Sequence, residues 1–519
     1  MELTGKSVRY TQEGKRLFDQ FYLDEDYNVP ESADDVRRVI LSCAEVRSEE
    51  IRIVENYIRI TGKVYYRILC LSASGDPQPE TMEGKIPFEE MVYAENTDGE
   101  SYYIRNTRTE PSVTVVNSRK LGIRIMVELE IGREKIVDEE IILDAQGDAE
   151  LFRKMKKRNL LTLHVSKKDT YRIKEEAVIP GAGESIGKIL FTDICSRKFD
   201  VRIGTDELFL RGELLLFCLY LSPDGKTDWM SQTVPYEGRI SCEGAEEGMY
   251  FYVRHSLEDT LTDVRLDDDG EMRVIGVEAT MALRISVYKE EETEMLDDMY
   301  ALGKECVFRK KQVVYEEMLM QNQSRCRISE RLELPELKED VLQIIHSRGT
   351  LQPETVQNTR EGIRIEGILH ISFLYLKADD IEPLGSWQGM IPFSYLIECA
   401  DMPEHARAGL SSYIEQLQIT LGGTEAAEIR AVLAFDAFVR KPVQADMITE
   451  ASLREIDASG QENAPGIVGH IVQPGEDLWS LAKKYMTTEE GIREVNKMGS
   501  ENVKTGDKLL IFRENMSIL

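Results

Sequence analysis

Three stretches of this chain carry one pattern, and it constrains the fold more than any other feature. They are Ile60-Thr-Gly62-Lys-Val-Tyr-Tyr-Arg-Ile-Leu, Leu210-Arg-Gly212-Glu-Leu-Leu-Leu-Phe-Cys-Leu and Ile365-Glu-Gly367-Ile-Leu-His-Ile-Ser-Phe-Leu. Counted from the glycine, positions −4, −2, +2, +4, +6 and +8 are apolar or aromatic in every copy, with Cys70 counted as apolar. Most odd offsets vary, as Lys63, Glu213 and Ile368 do at +1. Alternation sustained this long predicts a strand with one face always buried. The shared glycine predicts a bend or a close backbone approach within it.

Flanking anchors keep their distances. Pro30, Pro180 and Pro335 each lie 32 residues before the glycine, and Ile86-Pro87-Phe88, Val234-Pro235-Tyr236 and Ile391-Pro392-Phe393 place their prolines 25, 23 and 25 residues after it. The glycines are 150 and 155 residues apart, so the chain contains a threefold internal repeat. Apolar residues at −7, −3 and −1 from each anchor proline (Leu23, Tyr27, Val29 in the first copy) predict another alternating strand, with Glu25, Glu175 and Glu330 at −5. After the proline, offsets +6, +9 and +10 are apolar (Val36, Val39, Ile40; Ile186, Ile189, Leu190; Val341, Ile344, Ile345). That spacing predicts a short helix capped by Asp35, Ser185 or Asp340.

The length of 519 residues fits three such units plus a remainder. Expected boundaries are 1–150, 151–305 and 306–450 for the repeats, 451–468 for a flexible linker and 469–513 for a small β-α-α-β domain. The fold class is mainly β with short helices. The formal net charge of −30 argues against sequence-independent nucleic-acid binding and against a polybasic membrane contact. It resides on the repeats, because residues 470–513 carry seven basic and seven acidic side chains. No apolar run reaches bilayer length, so no membrane insertion is expected, and residues 1–16 lack the apolar core of a secretory signal. Eight scattered cysteines without a CxxC pair suit small core positions in a reducing compartment.

The tail has its own signature. A strand reaches Pro474-Gly475, and Leu478, Leu481, Ala482 and Tyr485 share one helical face. Thr487 and Glu490 make a capping box for a second helix, and Thr505-Gly506-Asp507 turns into a last strand. Val472-x-x-Gly475-x-x-Leu478-x-x-Leu481-Ala482-x-x-Tyr485, Asn496 and Gly506-x-x-Leu509-x-Ile511 resemble a LysM domain. The resemblance implies binding of N-acetylglucosamine-containing glycans through two loops. Here those are Gly475, Glu476, Asp477 and Leu478, and Asn496, Lys497, Met498, Gly499 and Ser500. Asp477 replaces the usual hydroxyl and Phe512-Arg513 the closing proline, which admits a protein ligand on the same groove.

The repeats resemble the SPOCS domain of endospore-forming bacteria, on the proline-anchored strand, the glycine-centred strand and the Ile-Pro-Phe element. SPOCS repeats followed by one LysM look like a spore-coat morphogenetic protein. That resemblance implies a mother-cell, cytoplasmic scaffold at the forespore surface. Its partner would be a coat basement-layer ATPase or another coat protein, contacted through the LysM.

Other motifs favour structural readings. Pro180-Gly-Ala-Gly-Glu-Ser-Ile-Gly187-Lys188 puts Ala182 at a required phosphate-loop glycine and Ile189 at the magnesium-binding hydroxyl. Asp267-Asp268-Asp269-Gly270 reads as a hairpin turn, since the calcium-loop positions fall on Arg265 and Gly276. Glu290, Glu291, Glu292, Glu294, Asp297 and Asp298 form either a solvated face or a docking site for a basic surface. The three glutamates at −5 raise paired-carboxylate catalysis, but one per unit points to a structural hydrogen-bonding role. Trp479 is a boundary residue or an exposed anchor. No enzyme, cofactor or metal is expected.

Overall fold

The computed structural model describes the chain apart from residues 74–77, 96–98, 180–183, 336, 338–340, 380, 424, 456–465, 501 and 514–519. Its first unit contains β1 (Glu2–Glu13), β2 (Leu17–Asn28), β3 (Val36–Val54), β4 (Tyr57–Ser72), β5 (Pro79–Tyr93), β6 (Glu100–Asn117) and β7 (Lys120–Gln146). The second contains β8 (Leu151–Val178), β9 (Lys188–Ile203), β10 (Glu207–Leu221), β11 (Thr227–Ser241), β12 (Tyr250–Leu266) and β13 (Met272–Ala301). The third contains β14 (Lys304–Glu333), β15 (Val341–Thr359), β16 (Gly362–Lys377), β17 (Leu384–Glu398), β18 (Arg407–Leu421) and β19 (Ala426–Glu455). Each unit is an antiparallel sandwich. A three-stranded sheet (β3-β4-β5, β9-β10-β11 or β15-β16-β17) packs on a second sheet built from the unit's first strand and its last two. In the first unit that first strand is broken into β1 and β2, which pair with different stretches of β7.

The glycine-centred stretches are β4, β10 and β16, the central strands of the smaller sheets. Gly62, Gly212 and Gly367 lie directly opposite Phe88, Tyr236 and Phe393, the aromatic residues of the Ile-Pro-Phe elements. A Cβ at Gly62 would sit 2.8 Å from the Phe88 ring, and one at Gly212 would sit 2.4 Å from the Tyr236 hydroxyl. The ring covers the bare backbone, which is why the glycine and the aromatic residue recur together. The anchor spacing is thus the register of one hairpin.

The predicted short helix is absent. Its residues open β3, β9 and β15, and the apparent helical spacing has two causes. β-bulges fall between Val36 and Arg38 and between Val39 and Leu41, and the third unit repeats both between Val341 and Gln343 and between Ile344 and His346. Each bulge adds a residue and disturbs the alternation. In addition, adjacent residues point to two different buried places. Val36 and Val39 enter the core of their own sandwich, whereas Ile40 points outward into a core shared between units.

That shared core explains how the units sit together. Ile40, Leu190 and Ile345, all ten residues after the anchor proline, meet Leu69, Leu219 and Leu374, all seven after the glycine. A second shared core joins the far ends of the long strands, with Val8, Ile141 and Ile142 from the first unit, Leu160, Leu296 and Met299 from the second, and Val313, Tyr315 and Ile448 from the third. Equivalent residues from three units in one cluster define a pseudo-threefold axis. Polar contacts run round it in one sense: the Thr81 hydroxyl bonds the Leu190 carbonyl, and Ser386, its counterpart in the third unit, bonds the Ile40 carbonyl. The second unit places Trp229 there, opposite Leu219 as Thr81 is opposite Leu69. The array is a closed ring with head-to-tail contacts.

The linker prediction needs correction at its ends. Residues 451–455 remain in β19, paired with β14 from Lys304 to Phe308, and Ile467 and Val468 already belong to β20. Residues 456–465 lie outside the described residues, as does the Asp340 cap. The Asp267–Gly270 stretch is the β12–β13 turn, with Gly270 at φ 82° and Asp267 N–H donating to the Glu271 carbonyl at 2.8 Å.

Candidate functional site

The C-terminal module consists of β20 (Ile467–Ile471), α1 (Leu478–Tyr485), α2 (Glu489–Val495) and β21 (Lys508–Phe512), with the two strands paired. Its core is small: Val472, Leu478, Leu481, Ala482, Ile492, Leu509 and Ile511. A core of this size leaves little margin for independent stability. It is extended by the second unit, because Tyr300 is buried among these residues and Phe152 and Leu302 pack beside it.

Polar contacts fix that docking. The Trp479 indole N–H donates to Asp298 Oδ2 at 2.9 Å, and Lys483 Nζ donates to Asp298 Oδ1 at 2.6 Å. Lys154 Nζ reaches Asp477 Oδ2 at 2.8 Å, and the Tyr300 hydroxyl donates to the Thr487 carbonyl at 2.9 Å. Trp479 meets Tyr300 edge-on at 4.9 Å between centroids, and Tyr300 stacks on Phe152 at 5.0 Å. Trp479 is therefore an anchor for the chain's own second unit. The acidic run is divided in the same way: Asp298 receives the module, Glu291 pairs with Lys6 of the first unit, and Glu292 pairs with Lys157 at 3.0 Å.

The nine residues expected to line the groove divide by what already holds them. Gly475 is exposed at φ 85°, a conformation that suits glycine. Glu476 accepts the Gln473 backbone N–H at 2.9 Å and the His470 imidazole at 2.5 Å, which hold its carboxyl down at about 2. Asp477 is the N-cap of α1, accepting the Ser480 N–H at 2.8 Å while Ser480 Oγ accepts the Asp477 N–H at 3.0 Å. This capping box went unread in the sequence because Ser, rather than Glu or Gln, occupies its third position. Leu478 is in the core.

On the other loop, the Asn496 amide donates to the Ile492 and Leu510 carbonyls at 2.8 and 2.7 Å and accepts the Leu510 N–H at 2.7 Å. Asn496 thus ties α2 to β21. Met498 packs on the module core, and the Gly499 carbonyl accepts from Arg493 at 2.6 Å. Lys497, Gly499 and Ser500 are exposed. The second helix is capped by Thr488, whose hydroxyl accepts the Gly491 N–H at 2.9 Å, one residue later than predicted. Thr487 is buried under Tyr300 instead.

Other sequence candidates fall apart in space. Glu25, Glu175 and Glu330 belong to three different sheets; Glu25 is near the Tyr66 hydroxyl, and Glu330 is exposed. Among the described residues no group of three or more His, Cys, Asp or Glu is placed to hold a metal ion. All eight cysteines are free, and burial pushes the Cys70 and Cys218 thiols up to about 12. No helix among the described residues is long and apolar enough to cross a membrane.

Fold and site together define a closed array of β-sandwich units carrying a docked β-α-α-β module. Residues 185–265 and 340–421 match the family model described as SipL, SPOCS domain, and residues 470–512 match that of the LysM domain. The chain thus carries SPOCS domains followed by a C-terminal LysM domain, and in this it is similar to SipL. The matched SPOCS segments lie in the second and third units; the first unit has the same glycine–aromatic pairing. No curated protein and no solved structure matches the chain.

Proposed function

We propose that this protein is a non-enzymatic adaptor of endospore-coat assembly. It acts in the mother-cell cytoplasm at the forespore surface and links a coat basement-layer protein, of the morphogenetic ATPase type, to other coat proteins. The observation that carries the reading is the union of SPOCS and LysM matches in one chain. Its mechanism is multivalent: the ring presents three related but different surfaces, and the module adds a binding face held at fixed geometry against the second unit. The acidic repeats favour basic partner surfaces and make encounter rates salt-dependent.

The alternative is a glycan-binding protein that uses the LysM as a carbohydrate module. The commitments of Glu476, Asp477, Leu478, Asn496 and Met498 to internal contacts favour the adaptor. A sugar would have to compete with Lys154 and Ser480 for Asp477. Fluorescence localisation of the tagged full chain through spore formation tests the adaptor. A shell around the forespore is the expected result, and diffuse signal throughout sporulation overturns it. Calorimetric titration of the full chain with muropeptides tests the alternative, which predicts saturable micromolar binding.

A further inference from the structure

The pseudo-threefold axis allows each junction between units to be compared with the other two. Leu121, Ile275 and Ala427 pair with Tyr27, Ala177 and Leu332, each three residues before an anchor proline, so they are equivalent positions. Nine residues further on, the same three strands carry Glu130, Arg284 and Asp436. Arg284 and Asp436 face a neighbouring unit directly, and Glu130 reaches one through Arg105.

At two junctions this position is part of an arginine–carboxylate pair. Glu130 is held by Arg16 at 3.1 Å and by Arg105 at 3.3 Å, and Arg105 also donates to the Leu410 carbonyl of the third unit at 3.1 Å. Arg284 pairs with Glu134 of the first unit, and Arg254, across the strand pair from Arg284, reaches the same carboxylate at 3.4 Å. The adjoining strand thus supplies Arg105 or Arg254. At the third junction it supplies Ser411, directly opposite Asp436. Asp436 has the Gln323 amide as its hydrogen-bond partner and no ion pair among the described residues. Arg325, the cation that acts on it, is bound to Glu415 at 2.5 Å.

Asp436 also borders an open space at this junction, and the Ser411 hydroxyl meets that of Tyr252, which lines the same space, at 3.0 Å. A cavity of about 210 Å³ lies between the second and third units, lined by Asp200, Phe251, Tyr252, Gln323, Asp436 and Phe438 among others. Two carboxylates and four aromatic rings, that of Phe199 included, around a space of this size match the chemistry of a delocalised cation, which pairs with carboxylate and lies on ring faces. The chain uses the same combination internally, where Arg254 lies 4.4 Å over Tyr103. We propose that this cavity is a binding site for a guanidinium group, supplied from outside the chain, that completes at the third junction the pair arginine makes at the other two. The group comes either on a small guanidine or on an arginine side chain of a polypeptide.

The electrostatics give the site a pH signature. Burial raises the Asp436 carboxyl, with Asp200 and Glu415 adding to the effect and Gln323 and Arg325 opposing it, to about 6. The Tyr413 hydroxyl, which receives the Gln323 amide at 2.8 Å, stays neutral throughout. The carboxylate that receives the cation is therefore present above about pH 6 and lost below it.

Calorimetric titration of the full chain with ethylguanidinium chloride, and separately with the peptide Gly-Arg-Gly, tests the site. Saturable binding of either is expected at pH 7.5, at least tenfold weaker at pH 5, and lost in Asp436→Asn. Tighter binding of the peptide assigns the source to a polypeptide, and equal or weaker binding to a small guanidine. Ser411→Arg places an arginine opposite Asp436, as Arg254 lies opposite Arg284 in the second unit, and is expected to abolish binding while raising the midpoint of thermal unfolding. It keeps the test informative if Asp436→Asn folds poorly. Absence of saturable binding by both probes, or binding unchanged in both variants, overturns the proposal.

Discussion

Asp298 of the second unit receives both the indole N–H of Trp479 and the ammonium of Lys483, at 2.9 and 2.6 Å, so one carboxylate fastens the first helix of the LysM to the ring. Hydrogen bonds to a charged group each contribute roughly 1.5–3 kcal/mol, and removing the acceptor strands two donors at a half-buried contact. Asp298→Ala is expected to release the module without unfolding the sandwiches. Hydrogen exchange checks this: amides of 478–485 should exchange at least tenfold faster while those of β10 keep their protection.

Acid should weaken the same contact. The Asp477 carboxyl is partly desolvated, which raises it, but bonds from Lys154 and Ser480 prevail and hold it at about 2. Asp298 is likewise lowered, with burial opposed by Lys483 and Trp479. A folded-state value depressed below the unfolded one contributes stability that is complete above the usual carboxylate range, near 4, and is lost as pH falls through the folded value. The Trp479 indole resonance should therefore hold its position from pH 7 to about pH 5 and move toward its free value between about pH 4 and 2. A shift centred near neutrality would contradict these contacts.

The glycines at the strand centres should differ in what they tolerate. At Gly367 an added methyl meets the Gln352 carbonyl oxygen at 2.3 Å, a backbone atom; at Gly212 it meets the tip of the Tyr236 ring at 2.4 Å. A ring moves more readily than a strand. Gly367→Ala is expected to cost roughly 1–3 kcal/mol, as overpacking does, and Gly212→Ala less. Urea denaturation of the two variants gives the comparison, and equal costs would show that the sheet yields at both places.

Leu69, Leu219 and Leu374 are each buried to 1 % exposure or less in the core between units. Truncation of any one to alanine is expected to cost about 2–5 kcal/mol. Because each touches all three units' shared core, every variant should lower a single common unfolding transition in calorimetry. Three separable transitions, with only one displaced, would show that the units unfold alone.

Much of the fold was legible in the residues. Alternation about Gly62, Gly212 and Gly367 marked the central strands, and the distance to Phe88, Tyr236 and Phe393 encoded a hairpin register. The spacing of Val36, Val39 and Ile40 imitates a helix because two bulges combine with two buried faces to give a 3–4 interval. Ring closure had a signal that went unused: among odd offsets, +7 is leucine in every copy, an outward position with no reason to be apolar in an isolated sandwich. In the module, helix order was readable, but the roles of Asp477 and Asn496 were not, since one depends on Lys154 and the other on Leu510, far away in sequence.

Closure has a consequence for length. An open stack of repeats can gain or lose a member at either end and keep its remaining contacts. Here Ile40, Leu190 and Ile345 meet at one axis, and Thr81 and Ser386 each reach across to the next unit in the same rotational sense. Removing one unit would expose apolar faces on both survivors, and inserting a fourth would break a junction before forming two. The number three is therefore a property of the interfaces and not of the repeat, and sequence divergence among the units proceeds at fixed copy number.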